Sequence, residues 1–131
     1  MKNFELFLKQ KKNEHFLDGL CVAGTQSLKA FLELNHDVPR DYIHFTKDYG
    51  VGEIKAVGFM LYEGFLDPCD IFDAETAELF KNIIFFGDDM QGHTVGFDRC
   101  DGWAVVEVDS SDMSLRKVCD NFSSFLYRLL S

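Results

Sequence analysis

Hydrophobic residues recur at helical spacing in the first third of the chain. The pattern predicts one helix over residues 4–17, ended by Gly19 and Gly24, and a second helix over residues 27–34. The side chains expected to face inward are Phe4, Phe7, Leu8, Leu28, Phe31, Leu32 and Leu34. Both segments are therefore predicted to pack against a core.

A third helix, over residues 39–49, is marked at both ends. Pro39 lacks the N–H that the first turn of a helix does not need, and Asp41 puts a negative charge where the helix dipole favours one. Gly50 can end the helix, because glycine adopts a left-handed conformation without steric penalty. The apolar positions between these marks, at spacings of three and four, are Tyr42, Phe45 and Tyr49.

Beyond this helix, strand-length runs alternate with turn residues. Residues 53–62 predict one strand or two short ones, with Gly58 as a candidate bulge. After Pro68, Asp73 is placed to cap a helix over residues 74–81. Further strands are predicted at 82–86, 93–98 and 103–108, with turns at 87–92 and 99–102. Residues 110–114 predict a polar loop.

Near the end of the chain, apolar residues recur at helical spacing and predict a last helix with an apolar face. Its members are Val118, Phe122, Phe125, Leu126, Leu129 and Leu130. The predicted order is helices, then about four to six antiparallel strands in a meander, then a helix packed on the sheet. This order indicates an α+β fold. No repeat or low-complexity tract divides the sequence, so we expect a single domain over residues 1–131.

Composition supports a compact soluble domain. Of the 131 residues, 47% are hydrophobic and 27% are charged, which excludes a disordered chain. Fourteen phenylalanines predict a core built largely from aromatic rings. No apolar run reaches the length that a membrane span needs.

Acidic residues are concentrated in the second half of the chain. The formal net charge of −9 argues against direct binding of nucleic acid or anionic membranes. Between Asp67 and Asp112, 12 acidic residues are opposed only by Lys81 and Arg99. Two interpretations stay open: the charge keeps a phenylalanine-rich protein in solution, or it attracts a basic partner.

The cysteines do not form a recognisable redox or zinc motif. They are spaced widely and without a Cys-x-x-Cys pair, at Cys21, Cys69, Cys100 and Cys119. Because the first residues do not resemble a secretory signal, we expect reduced, mostly buried thiols in a cytoplasmic protein. No cofactor is predicted.

The strongest candidates for a metal site are Asp88, Asp89 and His93, which flank one turn. Their spacing does not fit a calcium-binding loop, and a turn is favoured because Gly and Asp dominate tight turns for backbone reasons. The remaining histidines, none in a catalytic pattern, are His15, His36 and His44. We therefore expect that the chain is not an enzyme.

Several short motifs follow one another in a recognisable order. They are VPRDYIHF (38–45), YGVG (49–52), IFFGDDMQG (84–92), VGFD (95–98), VVEVD (105–109) and FSSFL (122–126). Over residues 37–130 this ordered set resembles the SUKH superfamily, which groups a yeast cell-wall-synthesis regulator with many bacterial immunity proteins. The matching motifs are helix caps, turns and buried apolar positions. The resemblance therefore implies a fold and does not imply a catalytic activity.

The resemblance implies an intracellular immunity-type protein that neutralises a cognate toxin. The acidic segment suggests that this toxin domain is basic and nuclease-like, and that a negatively charged surface occludes its active site. The candidate partner-binding residues are Asp67, Asp70, Asp73, Asp88, Asp89, Asp98 and Asp101. An aromatic side chain that is exposed beside these aspartates would anchor the interface. The candidates are Phe59, Phe65, Phe72 and Trp103.

Two other functions remain open. The yeast branch of the superfamily suggests a regulatory or scaffold module whose partner is an endogenous protein. A small-ligand or metal-binding domain is the third hypothesis, and a melting temperature that responds to divalent ions would support it.

Overall fold

The computed structural model describes residues 2–22 and 37–131. Gly24, His36 and the helix predicted at 27–34 lie outside these described residues. The described helices are α1 (Lys2–Asn13), α2 (Arg40–Asp48), α3 (Pro68–Ile71), α4 (Ala74–Leu79) and α5 (Phe122–Leu130). The described strands are β1 (Leu20–Cys21), β2 (Val51–Ile54), β3 (Phe59–Leu66), β4 (Ile83–Asp88), β5 (His93–Asp98), β6 (Ala104–Asp109) and β7 (Ser114–Cys119).

The strands form one sheet in the order β1-β2-β3-β4-β5-β6-β7, each antiparallel to the next. This confirms the predicted α+β fold with an antiparallel meander and a closing helix. The seven described strands exceed the predicted four to six. Since successive side chains point to opposite faces, each strand supplies residues to both sides of the sheet.

The first face of the sheet carries the main core, which is aromatic as predicted. Tyr42 of α2 and Phe122 of α5 pack on Phe86 and Phe97 of the central strands, with ring centroids 4.7–6.0 Å apart. These four side chains are fully buried. Aromatic pairs in tilted and edge-to-face arrangements add to the stability gained from area burial alone.

The second face carries a smaller cluster beneath α3 and α4. Phe72 and Phe80, which follow these two short helices, pack with Phe85 of β4 and Val106 of β6. The helices begin with acidic caps, because their first N–H groups have no partner within the helix. Asp73 accepts a hydrogen bond from the Thr76 N–H at 2.8 Å, which confirms the predicted cap.

Helix α2 begins and ends within one residue of the predicted bounds 39–49. Pro39 directly precedes its first turn, and Gly50, just beyond its end, has a φ of +95°. Asp41 has a further role that the sequence does not reveal, because its Oδ2 accepts hydrogen bonds from both the N–H and the hydroxyl of Ser123, at 2.9 and 2.8 Å. This carboxylate therefore joins the start of α2 to the start of α5.

The largest differences from the predicted helix boundaries are in α1 and the last helix, and α4 ends at Leu79 and not at residue 81. Helix α1 ends at Asn13 and not at residue 17, and His15 just beyond it takes a left-handed conformation with φ +68°. Val118 lies in β7 and not in the last helix, which begins at Phe122. The sequence does not predict strand β7: it places Ser114 in a loop and Val118 in the last helix. Residues 114–117 are polar or charged apart from Leu115, without the alternation of a half-buried strand.

Gly58 is not a bulge. It closes a 3-10 turn over Lys55–Val57 with a φ of +63°. The strand register shifts elsewhere, between Leu61 and Leu66, between Phe85 and Gly87, and between Val105 and Val106. The cysteine prediction is also wrong in part. Cys119 is buried, whereas Cys21, Cys69 and Cys100 are exposed, and all four are free. The exposed cysteines lie at a short edge strand, a one-turn helix and a hairpin loop, which offer little cover.

The longest described helix, α1, has 12 residues and carries several charges, so none of the described helices has the length and apolar character that crossing a membrane requires.

We expect the substitution Tyr42→Phe to stabilise the protein. The Tyr42 side chain is fully buried, and its hydroxyl has no hydrogen-bond partner among the described residues. A buried polar group without a partner costs free energy, so its removal should raise the free energy of unfolding by about 1 kcal/mol. Urea denaturation measures this change as a higher midpoint with an unchanged slope. A lower midpoint would show that the hydroxyl is satisfied.

Candidate functional site

The structure separates the predicted partner-binding aspartates into groups at two ends of the sheet. Ile83 pairs with Asp98 and Asp88 pairs with Thr94, so Asp88 lies at the opposite end of the strands from Asp98. A six-residue strand such as β5 spans roughly 17 Å between its first and last residues. Asp88 and Asp89 therefore lie together, and Asp98 and Asp101 lie at the other end.

The remaining predicted residues, Asp67, Asp70 and Asp73, are exposed at the starts of α3 and α4. Asp70 accepts a hydrogen bond from the Asp67 N–H at 3.0 Å, as part of a capping box at the start of α3. The hydrogen bond from the Thr76 N–H lowers the pKa of Asp73. These carboxylates have a structural role as helix caps.

At the Asp98 end of the sheet, where β5 turns into β6, the negative charge of the carboxylates is partly neutralised. The Asp98 Oδ1 accepts a hydrogen bond from the Cys100 N–H at 3.0 Å. Lys117 pairs with Asp101 at 3.5 Å and with Asp120 at 3.1 Å. The pKa of Lys117 is raised by its hydrogen bond with Asp120 and then by the Asp101 charge.

The other end of the sheet brings two turns together, and we call residues 88–93 and 109–115 the turn surface. The Ser110 N–H donates to the Gly92 carbonyl at 2.8 Å, which holds the β4–β5 turn against the β6–β7 turn. Each turn is also braced by carboxylates that accept hydrogen bonds from nearby N–H groups. The braced N–H groups belong to Met90, Gln91, His93, Ser111 and Ser114.

Asp88 is fixed by two donors. Its Oδ1 accepts from the Met90 N–H at 2.8 Å, and its Oδ2 accepts from the Tyr62 hydroxyl at 2.7 Å. Burial raises the pKa of Tyr62, and the hydrogen bond to Asp88 and the charge of that carboxylate raise it further. The Tyr62 hydroxyl therefore stays protonated and donates to Asp88 throughout the physiological range.

His93 lies between two carboxylates of the turn surface. Its Nδ1 is 2.8 Å from the Asp89 Oδ2, and its Nε2 is 3.6 Å from the Asp109 Oδ2. The hydrogen bond to Asp89 and the charge of Asp89 raise the pKa of His93. Burial acts to raise the pKa of Asp89, but hydrogen bonds from Gln91 and His93 outweigh it and lower that pKa. His93 thus links the two turns.

Asp109 is a site residue that the sequence prediction missed, together with Asp112. The Ser111 hydroxyl and N–H donate to Asp109, and these hydrogen bonds lower the pKa of its carboxyl. A signal for Asp109 exists in the sequence, because extending the predicted hairpin places it opposite His93. Asp112 had no such signal, since strand β7 was not predicted.

Apolar side chains are exposed on the turn surface, but they are not the predicted aromatic ones. Phe59 is buried, and Phe65, Phe72 and Trp103 are half-buried and packed on the two clusters. The exposed apolar side chains are instead Met90 at 48%, Met113 at 38% and Leu115 at 43%. Both methionines have a positive φ, at +60° and +55°.

The described residues contain no group of three His, Cys, Asp or Glu side chains arranged to hold a metal ion. A cleft of about 560 Å³ lies between α1 and α2, next to the start of α5. Its lining includes charges of both signs, from Lys9 and Arg40 to Asp41 and Asp48. The Asp41 carboxylate in this cleft is already occupied by Ser123.

We expect His93 to stabilise the protein below its ordinary pKa and to lose this effect as the pH rises through its raised pKa in the folded protein. Its pKa in the folded protein lies above the ordinary 6.5, so the stabilisation is complete below about pH 6.5 and disappears as the pH rises through the raised value. The excess melting temperature of the wild type over His93→Gln should therefore shrink between pH 6 and pH 9.

A nuclear magnetic resonance titration of the imidazole supplies the direct measurement. The variant Asp89→Asn keeps an acceptor oxygen in the turn but removes its charge, so the pKa of His93 should fall in this variant. A His93 pKa that is unchanged by this substitution would contradict the link between the two residues.

The seven-stranded meander, with helices packed on both of its faces, defines a small α+β domain whose loops expose carboxylates. A comparison with protein-family models identifies the particular family. The SUKH_6 family, described as SMI1-KNR4 cell-wall, matches residues 30–126, and the chain belongs to this family. This confirms the resemblance to the SUKH superfamily. Comparisons with curated proteins and with solved structures find no match.

Proposed function

We propose that the chain is an immunity-type protein of the cytoplasm, which neutralises a cognate toxin by binding it and catalyses no reaction. Membership of the SUKH_6 family supports a protein of the SMI1-KNR4 kind. The observation that carries the proposal is the set of carboxylates on the turn surface. They are held by backbone N–H groups and by the Tyr62 hydroxyl before any partner arrives.

The partner that this surface suits is a basic toxin domain, such as a nuclease with a positively charged active-site cleft. Fixed carboxylates lose little conformational freedom on binding, so less of the interaction energy is spent on ordering them. Complementary charge can raise the association rate by about 10–10³-fold at low salt. The bound chain would cover the cleft that the substrate needs.

Rescue of cells provides the test. The chain is expressed together with the toxin encoded beside its gene, and cell survival and complex formation at low salt are measured. Survival with a salt-sensitive association rate is the expected result. Absence of both rescue and a complex would overturn the proposal.

Charge variants show which carboxylates contribute. The pair Asp88→Asn and Asp112→Asn removes two charges from the turn surface, and the pair Asp67→Asn and Asp73→Asn removes two charges from the helix caps. Asparagine keeps one acceptor oxygen for the backbone N–H, and at position 88 its amide can donate to the Tyr62 hydroxyl, so both pairs should fold. The first pair should slow association at least several-fold more than the second.

A regulatory or scaffold module with an endogenous partner is the second candidate. The cell-wall description of the matching family favours it. The gene neighbourhood separates the two functions, since a toxin gene beside this one supports neutralisation and its absence supports the regulatory role.

A further inference from the structure

One row of side chains crosses the second face of the sheet next to the turns. The strand register pairs Met60 with Asp88, Asp88 with Thr94, Thr94 with Val108, and Val108 with Leu115. Residues paired across neighbouring strands point to the same face, so all five lie on one side. This row runs from β3 to the last strand.

Helices α3 and α4 cover the same face farther from the turns. Phe72 packs on Phe85 with ring centroids 5.8 Å apart, and Phe85 lies in the adjacent row, opposite Gly96. At the outer row, Val108 is fully buried, whereas Leu115 is 43% exposed. Met60 and Thr94 are half-buried. The row therefore combines the apolar side chains of Met60, Val108 and Leu115 with the polar Asp88 and Thr94, and its apolar end at β7 is exposed.

The two exposed methionines lie at the same end of the sheet as this row. Met90 is in the turn between β4 and β5, and Met113 directly precedes β7, where Leu115 lies. Methionine is flexible and polarisable, and it is common on surfaces that bind partners of varied shape. Together with Leu115 they give this end three exposed apolar side chains, on a domain whose other large apolar side chains are mostly buried.

The charge around this apolar group is negative. Glu107 is paired with Arg116, and the register places that pair on the first face of the sheet, away from the row. His93 is held by Asp89 and Asp109 on the first face as well. The strand register and the turns place at this end the carboxylates Glu53, Asp88, Asp89, Glu107, Asp109 and Asp112 and the basic groups Lys55, His93 and Arg116.

We infer that Met90, Met113 and Leu115 are the apolar anchor of the partner interface, and that the partner presents a basic segment with an apolar side chain at its centre. The inference rests on the proposed function and adds the location of the contact and the chemistry of the occupant. An apolar centre surrounded by polar groups concentrates binding energy, because the rim excludes water from the centre. The surrounding carboxylates select lysine and arginine on the partner.

The test uses a fluorescent 18-residue peptide of lysine and leucine at helical spacing, with a second peptide of the same composition in scrambled order. Fluorescence anisotropy measures its affinity for the full chain, and amide chemical shifts locate the contact. We expect the shifts to fall on residues 88–94 and 108–115, and the scrambled peptide to bind more weakly.

Substitutions then separate apolar anchoring from charge attraction. The double variant Met90→Ser and Leu115→Ser should weaken binding about tenfold without changing the net charge. The control is Leu79→Ser, which removes one apolar side chain from α4, where it is 75% exposed. This control should leave the affinity within about twofold of the wild type. Asp112→Asn should lower the affinity at low salt and have less effect at high salt.

The inference is overturned if the shifts concentrate on residues 67–73 or 98–101, or if Leu79→Ser weakens binding as much as the double variant. The toxin experiment distinguishes this failure from failure of the proposed function. A double variant that rescues cells as well as the wild type would refute the anchor and leave neutralisation intact. A wild-type chain that rescues no cells would refute neutralisation, whatever the peptide shows.

Discussion

Replacing Phe86 by alanine should lower the free energy of unfolding by about 3–5 kcal/mol, as is usual when a large buried aromatic side chain is truncated. Phe86 is fully buried in the centre of β4. Its ring contacts those of Tyr42, Phe97 and Phe122, with centroids 5.9, 4.7 and 5.4 Å away. The rigid strands and helices around it cannot collapse into the space, so the variant loses both apolar burial and ring contacts.

Urea denaturation of the wild type and the variant measures this loss. Phe86→Leu fills most of the volume of the phenylalanine ring and should lower the free energy of unfolding by about 1.5 kcal/mol or less. It therefore gives a measurable loss of stability if the alanine variant does not fold. Leu79→Ala, at an exposed position of α4, is the matched control and should change stability by less than about 0.5 kcal/mol. A Phe86→Ala loss as small as that of Leu79→Ala would mean that the aromatic core is not assembled around β4.

The substitution Gly96→Ala should destabilise the protein by about 3 kcal/mol, although it adds a single methyl group. Gly96 lies in β5 between two neighbouring strands, opposite Phe85 on one side and Val106 on the other. A Cβ atom at this position would come within 2.4 Å of the Ile84 carbonyl oxygen and 3.0 Å of the Phe85 Cα. Both are backbone atoms, so no change of rotamer relieves the overlap and the strands must separate.

Gly58→Ala is the control for this second prediction. A Cβ at Gly58 meets no heavy atom within 4 Å, so only its left-handed backbone conformation opposes the change, at a cost of about 1–2 kcal/mol. The urea midpoints of the two variants give the comparison. Equal losses, or a smaller loss for Gly96→Ala, would contradict the close approach of β4 and β5.

The elements that the sequence predicts well are those whose ends carry their own local signal. Strand β5 matches its predicted range of 93–98, because a glycine turn and a hairpin loop bound it. Helix α2 is confirmed by Pro39 at its start and Gly50 at its end. Strand β7 lacks such a signal. Its stability depends on hydrogen bonds to β6, so nothing within its own residues distinguishes it from a loop.

The sequence likewise predicts some features of the candidate site and not others. The run of acidic residues is visible in the sequence, as is the turn that contains Asp88, Asp89 and His93. Position along the chain does not show that Asp98 lies a full strand length away, or that Lys117 reduces the charge near Asp101. It also does not show that Phe59 is buried while Met113 is exposed, because Phe59 faces the main core from β3 and Met113 lies in the turn between β6 and β7.

The sequence by itself determined the fold class, the order of most elements, the aromatic composition of the core and the excess of negative charge. These properties follow from periodicity, capping residues and composition, which act over a few neighbouring positions. Only the tertiary structure decided which carboxylates share a surface, which apolar side chains remain open beside them, and which residue joins the turns. The physical reason is that strand register and helix cover bring together residues distant in the chain, such as Asp41 with Ser123 and Asp89 with Asp109 across His93.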